Sequence, residues 1–241
     1  MTLDLRSDKV EGGVRIVETT PAVSRERLFA HRRCYMGISL DNPVFTGATL
    51  KTLLRWATGH FDKCLIVVGD YLRRYNEQIF SALTGPAAAE AALGSGQEFL
   101  DRNRDLLASF DSEKLVVTRW QPCLTGREYL DARQTLADLY GADDKFRAAV
   151  QRDGAAFLRR QQRHGRKLAV EEERAIELSC EYLLEEIAVF SSLAQQGWKV
   201  ELYPGPELDV LVEAARGDYT GIPAGLKDRV NVELRLHKGR S

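Results

Sequence analysis

No stretch of this sequence approaches the roughly 20 apolar residues that crossing a bilayer requires, which excludes a membrane-spanning helix. The N-terminal MTLDLRSDKVEGG is charged and has no apolar signal region, so a cytoplasmic protein is expected. Cysteine is sparse. Cys34, Cys64, Cys123 and Cys180 stand far apart, mostly among apolar neighbours, and their spacing gives neither a zinc site nor a redox pair. Three of the four read as ordinary buried thiols. Histidine is equally sparse, and none of His31, His60, His164 and His237 stands where a triad would need it. Net charge is only −1, so the whole molecule is not drawn to nucleic acid.

What is present is an ordinary globular composition, 44% hydrophobic and 29% charged. A length of 241 residues can bury a native core without metals or disulfides, and reads as one domain over 1–241. The small net charge hides a strong asymmetry. Between Lys145 and Lys167 there are eight Lys/Arg and one acid, Asp153; between Glu171 and Glu186 there are seven acids and one Arg.

Strands are expected at 13–17, 32–38, 63–70, 114–120, 198–205 and 230–238. A helix is expected near 46–58, where Leu50, Leu53, Leu54 and Ala57 recur at helical spacing. KCLIVVGD (63–70) is a continuous apolar run of the kind buried in a parallel sheet, and YLRRYNEQIFSAL after it reads as a helix. Pro86 opens an Ala-rich helix, expected to break around Gly94-Ser95-Gly96 and resume through 97–110. Residues 127–195 read as overwhelmingly helical. Strands alternating with helices make this an α/β protein with a parallel sheet, flanked by helices and elaborated with helices in its second half.

Such a sheet binds ligands at the carboxyl ends of its strands. Ser39, Asp70 and Tyr203 would all meet there, although Asp70 can equally serve as the cap of the next helix. On the helix 175–195, Tyr182 and Glu186 are four apart and share a face. Either the glutamate is simply solvated, or the helix delivers a carboxylate to the sheet edge.

Four short segments resemble one family, in its own order, from about residue 30 to 205. YMGIS with Asn42 beyond it resembles the nucleophile segment of the cyclodipeptide synthases. GDYLRRYN resembles the strand-to-helix segment that follows, EYLLEEIAVF the second signature, and LYPG the Tyr-Pro pair of one of two subfamilies. Arg33 stands where the family often has His, and Ile187 where it often has Pro. The resemblance implies a Rossmann-like fold similar to the catalytic domain of class I tyrosyl- and tryptophanyl-tRNA synthetases. It implies an aminoacyltransferase that makes a cyclic dipeptide (a diketopiperazine) from two aminoacyl-tRNAs, with no cofactor or metal. Neither membrane nor DNA is an expected partner, and a monomer is expected.

Carried over by position, Ser39 is the nucleophile and Gly37 leaves room beside it. Asn42, Tyr182 and Glu186 hold the first amino group, and Tyr203 assists proton transfer. Tyr35, Val67, Val189 and Glu201 line the pocket for the first aminoacyl side chain. An aminoacyl ester on tRNA is already activated, so a serine without a histidine base suffices to form an aminoacyl-enzyme. A second aminoacyl-tRNA then gives a dipeptidyl-enzyme, and ring closure frees Ser39. A carboxylate such as Glu186 can hold an ammonium by charge-assisted hydrogen bonds.

Three further expectations concern charge. Arg152, Arg159, Arg163 and Arg166, with Arg160, would form a broad helical face for tRNA phosphates; the alternatives are a helix salt-bridged to the acidic run, or a surface around Arg102 and Arg104. Glu201 shares a strand face with Tyr203, so it either reads a polar or cationic substrate side chain or pairs with an arginine such as Arg119. A non-catalytic tRNA- or RNA-binding module would use the basic run equally well but has no need of Ser39, Tyr182, Glu186 and Tyr203 together. A serine hydrolase is disfavoured because G-x-S-x-G is missing.

Overall fold

The short β-rich runs assemble into one six-stranded sheet. In the computed structural model, which describes residues 13–237, the strands are β1 (Val14–Thr20), β2 (Arg33–Ile38), β3 (Lys63–Val68), β4 (Leu115–Arg119), β5 (Val200–Tyr203) and β6 (Val230–Leu236). Their order is β1-β6-β5-β2-β3-β4. From β6 to β4 neighbouring strands are parallel, and β1 runs antiparallel to β6. The chain leaves β2 toward β3 and β4 on one side and returns to β5 and β6 on the other. The switch point, where α/β sheets open a ligand crevice, therefore lies between β2 and β5.

Ten helices surround the sheet among the described residues: α1 (Arg25–Ala30), α2 (Gly47–His60), α3 (Arg74–Ser81), α4 (Gly85–Arg102), α5 (Arg104–Ala108), α6 (Arg127–Ala142), α7 (Asp144–Arg163), α8 (Glu172–Gln195), α9 (Asp209–Ala215) and α10 (Ala224–Asp228). Side-chain alternation along the strands makes two cores. Cys34, Met36, Ile38, Ile66 and Val68 face one way and meet Leu50, Leu53, Leu54 and Ala57 of α2. Tyr35, Leu65 and Val67 face the other way and meet Leu184, Ile187 and Ala188 of α8. A third cluster, Ile79, Leu158, Ala175 and Leu178, ties α3, α7 and α8 together. This is the helical elaboration.

Two differences from the sequence reading have clear causes. α4 runs unbroken through Gly94-Ser95-Gly96. Ser95 hydrogen-bonds back to the Ala91 carbonyl at 3.1 Å, and a Cβ on Gly96 would lie 2.4 Å from that of Asp70. Gly96 thus marks a close approach between α4 and the β3 terminus, and no break. The short helices α1, α9 and α10, five to seven residues each, fall below the length at which periodicity is visible. The 127–195 region divides at Asp143, whose carboxylate accepts from the backbone N–H groups of Lys145 and Phe146 at 2.9 and 3.0 Å and so starts α7. No helix among the described residues is long and apolar enough to cross a membrane.

Candidate active site

Strands β2 and β3 pair through six residues, up to Ile38 and Val68, but β2 and β5 pair only at Cys34–Val200 and Tyr35–Glu201. Beyond that last pair β2 and β5 part, and the crevice opens. Gly37 and Ser39 stand on the β2 side of it and Tyr203 on the β5 side. All three are half-buried, as are Asn42, Tyr182 and Glu186. Tyr35, Val67, Val189 and Glu201 lie deeper, at most 3% exposed. The six residues assigned to chemistry are thus partly exposed, and the four assigned to side-chain binding are buried.

Ser39 follows β2 at the start of a tight turn in which the Asn42 N–H donates to the Ser39 carbonyl at 3.0 Å. Asn42 then caps the short 3₁₀ segment 43–45, its Oδ1 accepting from the Val44 N–H at 3.0 Å. Between them, Asp41 is held by Arg73, by Arg166 at 3.4 Å and by the Asn76 amide at 3.4 Å, so the loop is anchored to α3 and to the segment after α7. Gly37 carries no Cβ, and one placed there would meet nothing within 4 Å.

Tyr203 packs its ring on Phe45, with centroids 6.0 Å apart, and its hydroxyl interacts with the Asn42 side chain. Gly205 permits this ring position, since a Cβ there would come 3.1 Å from the ring. Burial raises the Tyr203 hydroxyl pKa above its ordinary value; the Asn42 hydrogen bond and the Arg160 charge pull it back, and Glu186 and Glu201 push it up. Tyr182 sits between Phe157, stacked at 6.3 Å, and Tyr75, edge-on at 6.4 Å, with its hydroxyl on the Glu186 carboxyl. Burial first, then Glu186, Tyr203 and Asp41, raise its pKa well above the usual phenol range. Glu186 is the most informative group. Its pKa is raised to about 8, by burial first and then by Glu201 and Glu207, against the smaller opposing effects of Arg229 and Tyr182. It has no basic side chain of the protein as an ion-pair partner among the described residues.

Arg229 donates to Glu201 Oε2 and to Glu207 Oε2, the latter at 2.6 Å, and the Tyr35 hydroxyl donates to Glu201 Oε2 at 2.8 Å. The arginine that pairs with Glu201 is therefore Arg229. Arg119 is taken by Asp70, which also accepts from the backbone N–H groups of Tyr71 and Trp120 at 2.7 and 3.1 Å and so caps the turn after β3. Asp70 is structural. Burial works against the Arg229 charge, but Glu201 and Glu207 outweigh it and hold its pKa above the ordinary value.

The expected basic face is divided. Arg152 turns toward α9 and pairs with Glu213 at 2.6 Å and Asp209 at 3.9 Å. Arg166 lies beyond the end of α7, paired with Asp41 and stacked over Phe80 at 4.0 Å. Arg159, Arg160, Arg163 and Lys167 are exposed and carry no ion pair among the described residues, Arg160 lying near the Phe157 ring. The cations of this segment that are neutralised find Asp41, Asp144, Asp209, Glu213 and Asp218, and none pairs with the acidic run at 171–186. At the alternative surface, Arg104 pairs with Asp101 at 2.5 Å.

His60 hydrogen-bonds the Trp56 carbonyl at 2.8 Å and stacks on Trp56 and Phe29, next to the amino-terminal end of β3 and so at the far edge of the sheet from Ser39. Among the described residues no three His, Cys, Asp or Glu side chains come together in a way that could hold a metal ion. The residues that sequence reasoning missed are Arg229 and Glu207. No motif marks Arg229, because the contact that matters spans 28 residues of chain.

No curated protein matches the chain. Solved structures do. A cyclodipeptide synthase from Fluoribacter dumoffii aligns with a TM-score of 0.75 and 22% identity, over 93% of this chain and 99% of that one. A Mycobacterium tuberculosis protein, reported to show that cyclodipeptide synthetases are related to type I tRNA synthetases, aligns with a TM-score of 0.70 and 16% identity over 95% of each chain. A cyclodipeptide synthase from Candidatus Glomeribacter gigasporarum, solved bound to Phe-tRNAPhe, aligns with a TM-score of 0.62 and 16% identity over 87% of this chain and 89% of that one. At these identities the likeness is one of fold: a Rossmann-like sheet flanked by helices. The sequence itself decides the family, because residues 17–195 match the family described as Cyclodipeptide synthase. As that match spans well over half of the chain and takes in the β2 terminus and α8, the chain belongs to the cyclodipeptide synthase family of enzymes.

Proposed function

We propose that this enzyme joins the aminoacyl groups of two aminoacyl-tRNAs into a cyclic dipeptide through acyl intermediates on Ser39. The observation that carries the reading is the Ser39–Glu186 crevice. A serine stands at the switch point, tied by its turn to Asn42; Asn42 bonds Tyr203, and Tyr203 feels the charge of Glu186, a carboxyl with no ion pair among the described residues and a pKa raised to about 8.

In the first step Ser39 Oγ attacks the ester carbonyl of one aminoacyl-tRNA. The acyl–oxygen bond to the tRNA breaks, and the serine proton passes to the departing ribose hydroxyl. The Tyr203–Asn42 pair is the proton relay at this edge, since a hydroxyl with a raised pKa stays neutral and can donate and accept in turn. The bound amino acid presents its ammonium to Glu186 and the Tyr182 hydroxyl. An acid of pKa about 8 matches an α-amino group, whose ordinary value is about 8, so Glu186 can hold the ammonium and take its proton when the amine must attack. That amine attacks the ester of the second aminoacyl-tRNA, the second tRNA leaves, and a dipeptidyl-serine results. The new terminal amine then attacks the serine ester, closes the six-membered ring and returns the proton to Ser39.

Phosphate contacts would come from Arg159, Arg160, Arg163 and Lys167. Arg160 links the two functions, being on the basic face and close enough to Tyr203 to lower its pKa. Support for tRNA comes from the relative solved with Phe-tRNAPhe on the same fold. The test is direct. Labelled aminoacyl-tRNA should leave acid-precipitable label on the protein, and Ser39→Ala should remove both the label and the cyclic dipeptide. Retained labelling in the alanine variant would falsify the assignment of Ser39.

A further inference from the structure

The floor of the crevice carries an unbalanced charge. The last β2–β5 pair before the strands part is Tyr35–Glu201, so these two side chains close the bottom of the cleft beneath Gly37, where added bulk would meet only open space. Val67 and Val189 are apolar and fully buried beside it. Arg229 Nε donates to Glu201 Oε2 at 2.9 Å and to the Tyr35 oxygen at 3.2 Å, Nη2 donates to the same Glu201 oxygen, and Nη1 reaches Glu207 at 2.6 Å. The side chains of Arg229, Glu201 and Glu207 are 4%, 4% and 7% exposed. Two carboxylates share one guanidinium, and among the described residues neither has a second ion pair, so with both ionised the cluster carries one formal negative charge in excess; burial and Glu207 push the Glu201 pKa up, and a bound cation would favour the ionised form.

That charge has a direction. Glu207 is satisfied at both oxygens, with Oε1 accepting from the Leu208 N–H at 3.0 Å. Every hydrogen bond to Glu201 arrives at Oε2. Among the described residues Glu201 Oε1 accepts none, and it is not fully sealed from solvent although the side chain is only 4% exposed. An acceptor with spare lone pairs therefore belongs to the last residue that β5 pairs with β2, where the cleft begins.

On the reading that Ser39 is acylated and Glu186 balances the substrate's own ammonium, the floor charge is left for the side chain. We propose that the pocket beneath Ser39 takes a cationic amino-acid side chain, arginine or lysine, whose charge meets Glu201 Oε1 and balances the Glu201–Arg229–Glu207 cluster. An apolar side chain would bury the spare acceptor dry, which is costly. An acidic one would meet a carboxylate first, because the guanidinium is already turned to Glu201 and Glu207.

The test uses the full chain and singly charged aminoacyl-tRNAs carrying labelled amino acids. Arginyl- or lysyl-tRNA should acylate the protein at least about tenfold faster than leucyl-, phenylalanyl- or glutamyl-tRNA, about 1.4 kcal/mol of discrimination. Glu201→Gln removes the net charge while Arg229 keeps Glu207, and should erase most of that preference. Glu207→Gln removes the same charge without touching the spare oxygen, and should weaken the preference less. Equal or faster acylation by leucyl- or phenylalanyl-tRNA in the unmodified enzyme overturns the proposal, as does an unaltered preference in both variants. Absence of label from every aminoacyl-tRNA would instead sink the acyl-serine reading, and this inference with it.

Discussion

Glu185 and Glu186 are chain neighbours on α8, yet they live in opposite surroundings. Glu185 turns to α3 and β4, where Arg74 grips both its oxygens, the Trp120 indole N–H donates at 3.0 Å and the Tyr75 hydroxyl donates at 3.2 Å. Arg74 is itself laid over the Tyr71 and Tyr75 rings at 4.2 Å each. Glu186 lies about 100° further round the helix and has the Tyr182 hydroxyl but no ion-pair partner among the described residues, only the smaller influence of the Arg229 charge. One carboxylate is saturated and ties α8 to α3 and to Trp120. The other is left incomplete, and in the proposed reading the substrate's ammonium sits there. In a buried setting the unsatisfied charge is the informative one.

The largest effect should come from breaking the saturated side. Glu185→Leu strands Arg74 with no counter-ion and should lower stability by about 3–5 kcal/mol in urea unfolding. The double variant Glu185→Leu/Arg74→Met should recover most of that loss. If the single variant unfolds like the parent protein, Glu185 does not anchor α8 and the contrast with Glu186 collapses.

Glu186 should behave with the opposite sign. Its folded pKa is about 8 against an ordinary 4.5, so between those values the folded state holds a proton that the unfolded chain releases. Stability should therefore fall as pH rises from 4.5 to 8 and then level off. Glu186→Gln removes this penalty. It should stabilise the protein by about 1–3 kcal/mol above pH 8, since the carboxyl keeps some contact with water, and by nothing below the unfolded pKa. Acyl transfer should be lost in the same variant. Thermal melts across that pH range decide it: a pH-independent difference between the two proteins would contradict the raised pKa.

The smallest effects sharpen a second contrast, between paired and unpaired cations near α7. Arg152 is held by Glu213 and Asp209, so Arg152→Ala should cost under about 1 kcal/mol and leave the salt dependence of tRNA binding as it was. Reversing Arg159 and Arg163 to Glu should weaken all aminoacyl-tRNAs alike. It should also make the slope of log K against log salt shallower by about 2, roughly one unit per lost phosphate contact. A slope that responds to Arg152 and not to the other two would move the docking surface toward α9.

Much of this was legible from local pattern. The apolar run of β3, the helical spacing of Leu50, Leu53 and Leu54, and the four-residue offset of Tyr182 and Glu186 are set by backbone periodicity, which a sequence displays directly. Pattern misled at Gly94-Ser95-Gly96, because a glycine that admits Asp70 looks the same as one that ends a helix. It also grouped Arg152 with Arg159 and Arg163, since helical spacing shows a broad face but not which acids stand opposite.

What the sequence alone determined, then, is the alternation of strands and helices, the two-faced strands of the central sheet, and a family resemblance carried by short segments at strand and helix ends. Each depends on residues within a turn or two of one another. Only the tertiary structure decided which charges are cancelled. Glu201 went to Arg229 and not Arg119, Asp70 became a cap, Arg166 was spent on Asp41, and Glu186 alone of the α8 pair was left open. Those outcomes depend on Coulomb and hydrogen-bond partners brought together from distant parts of the chain, and burial magnifies each of them by withdrawing the water that would otherwise make one partner much like another.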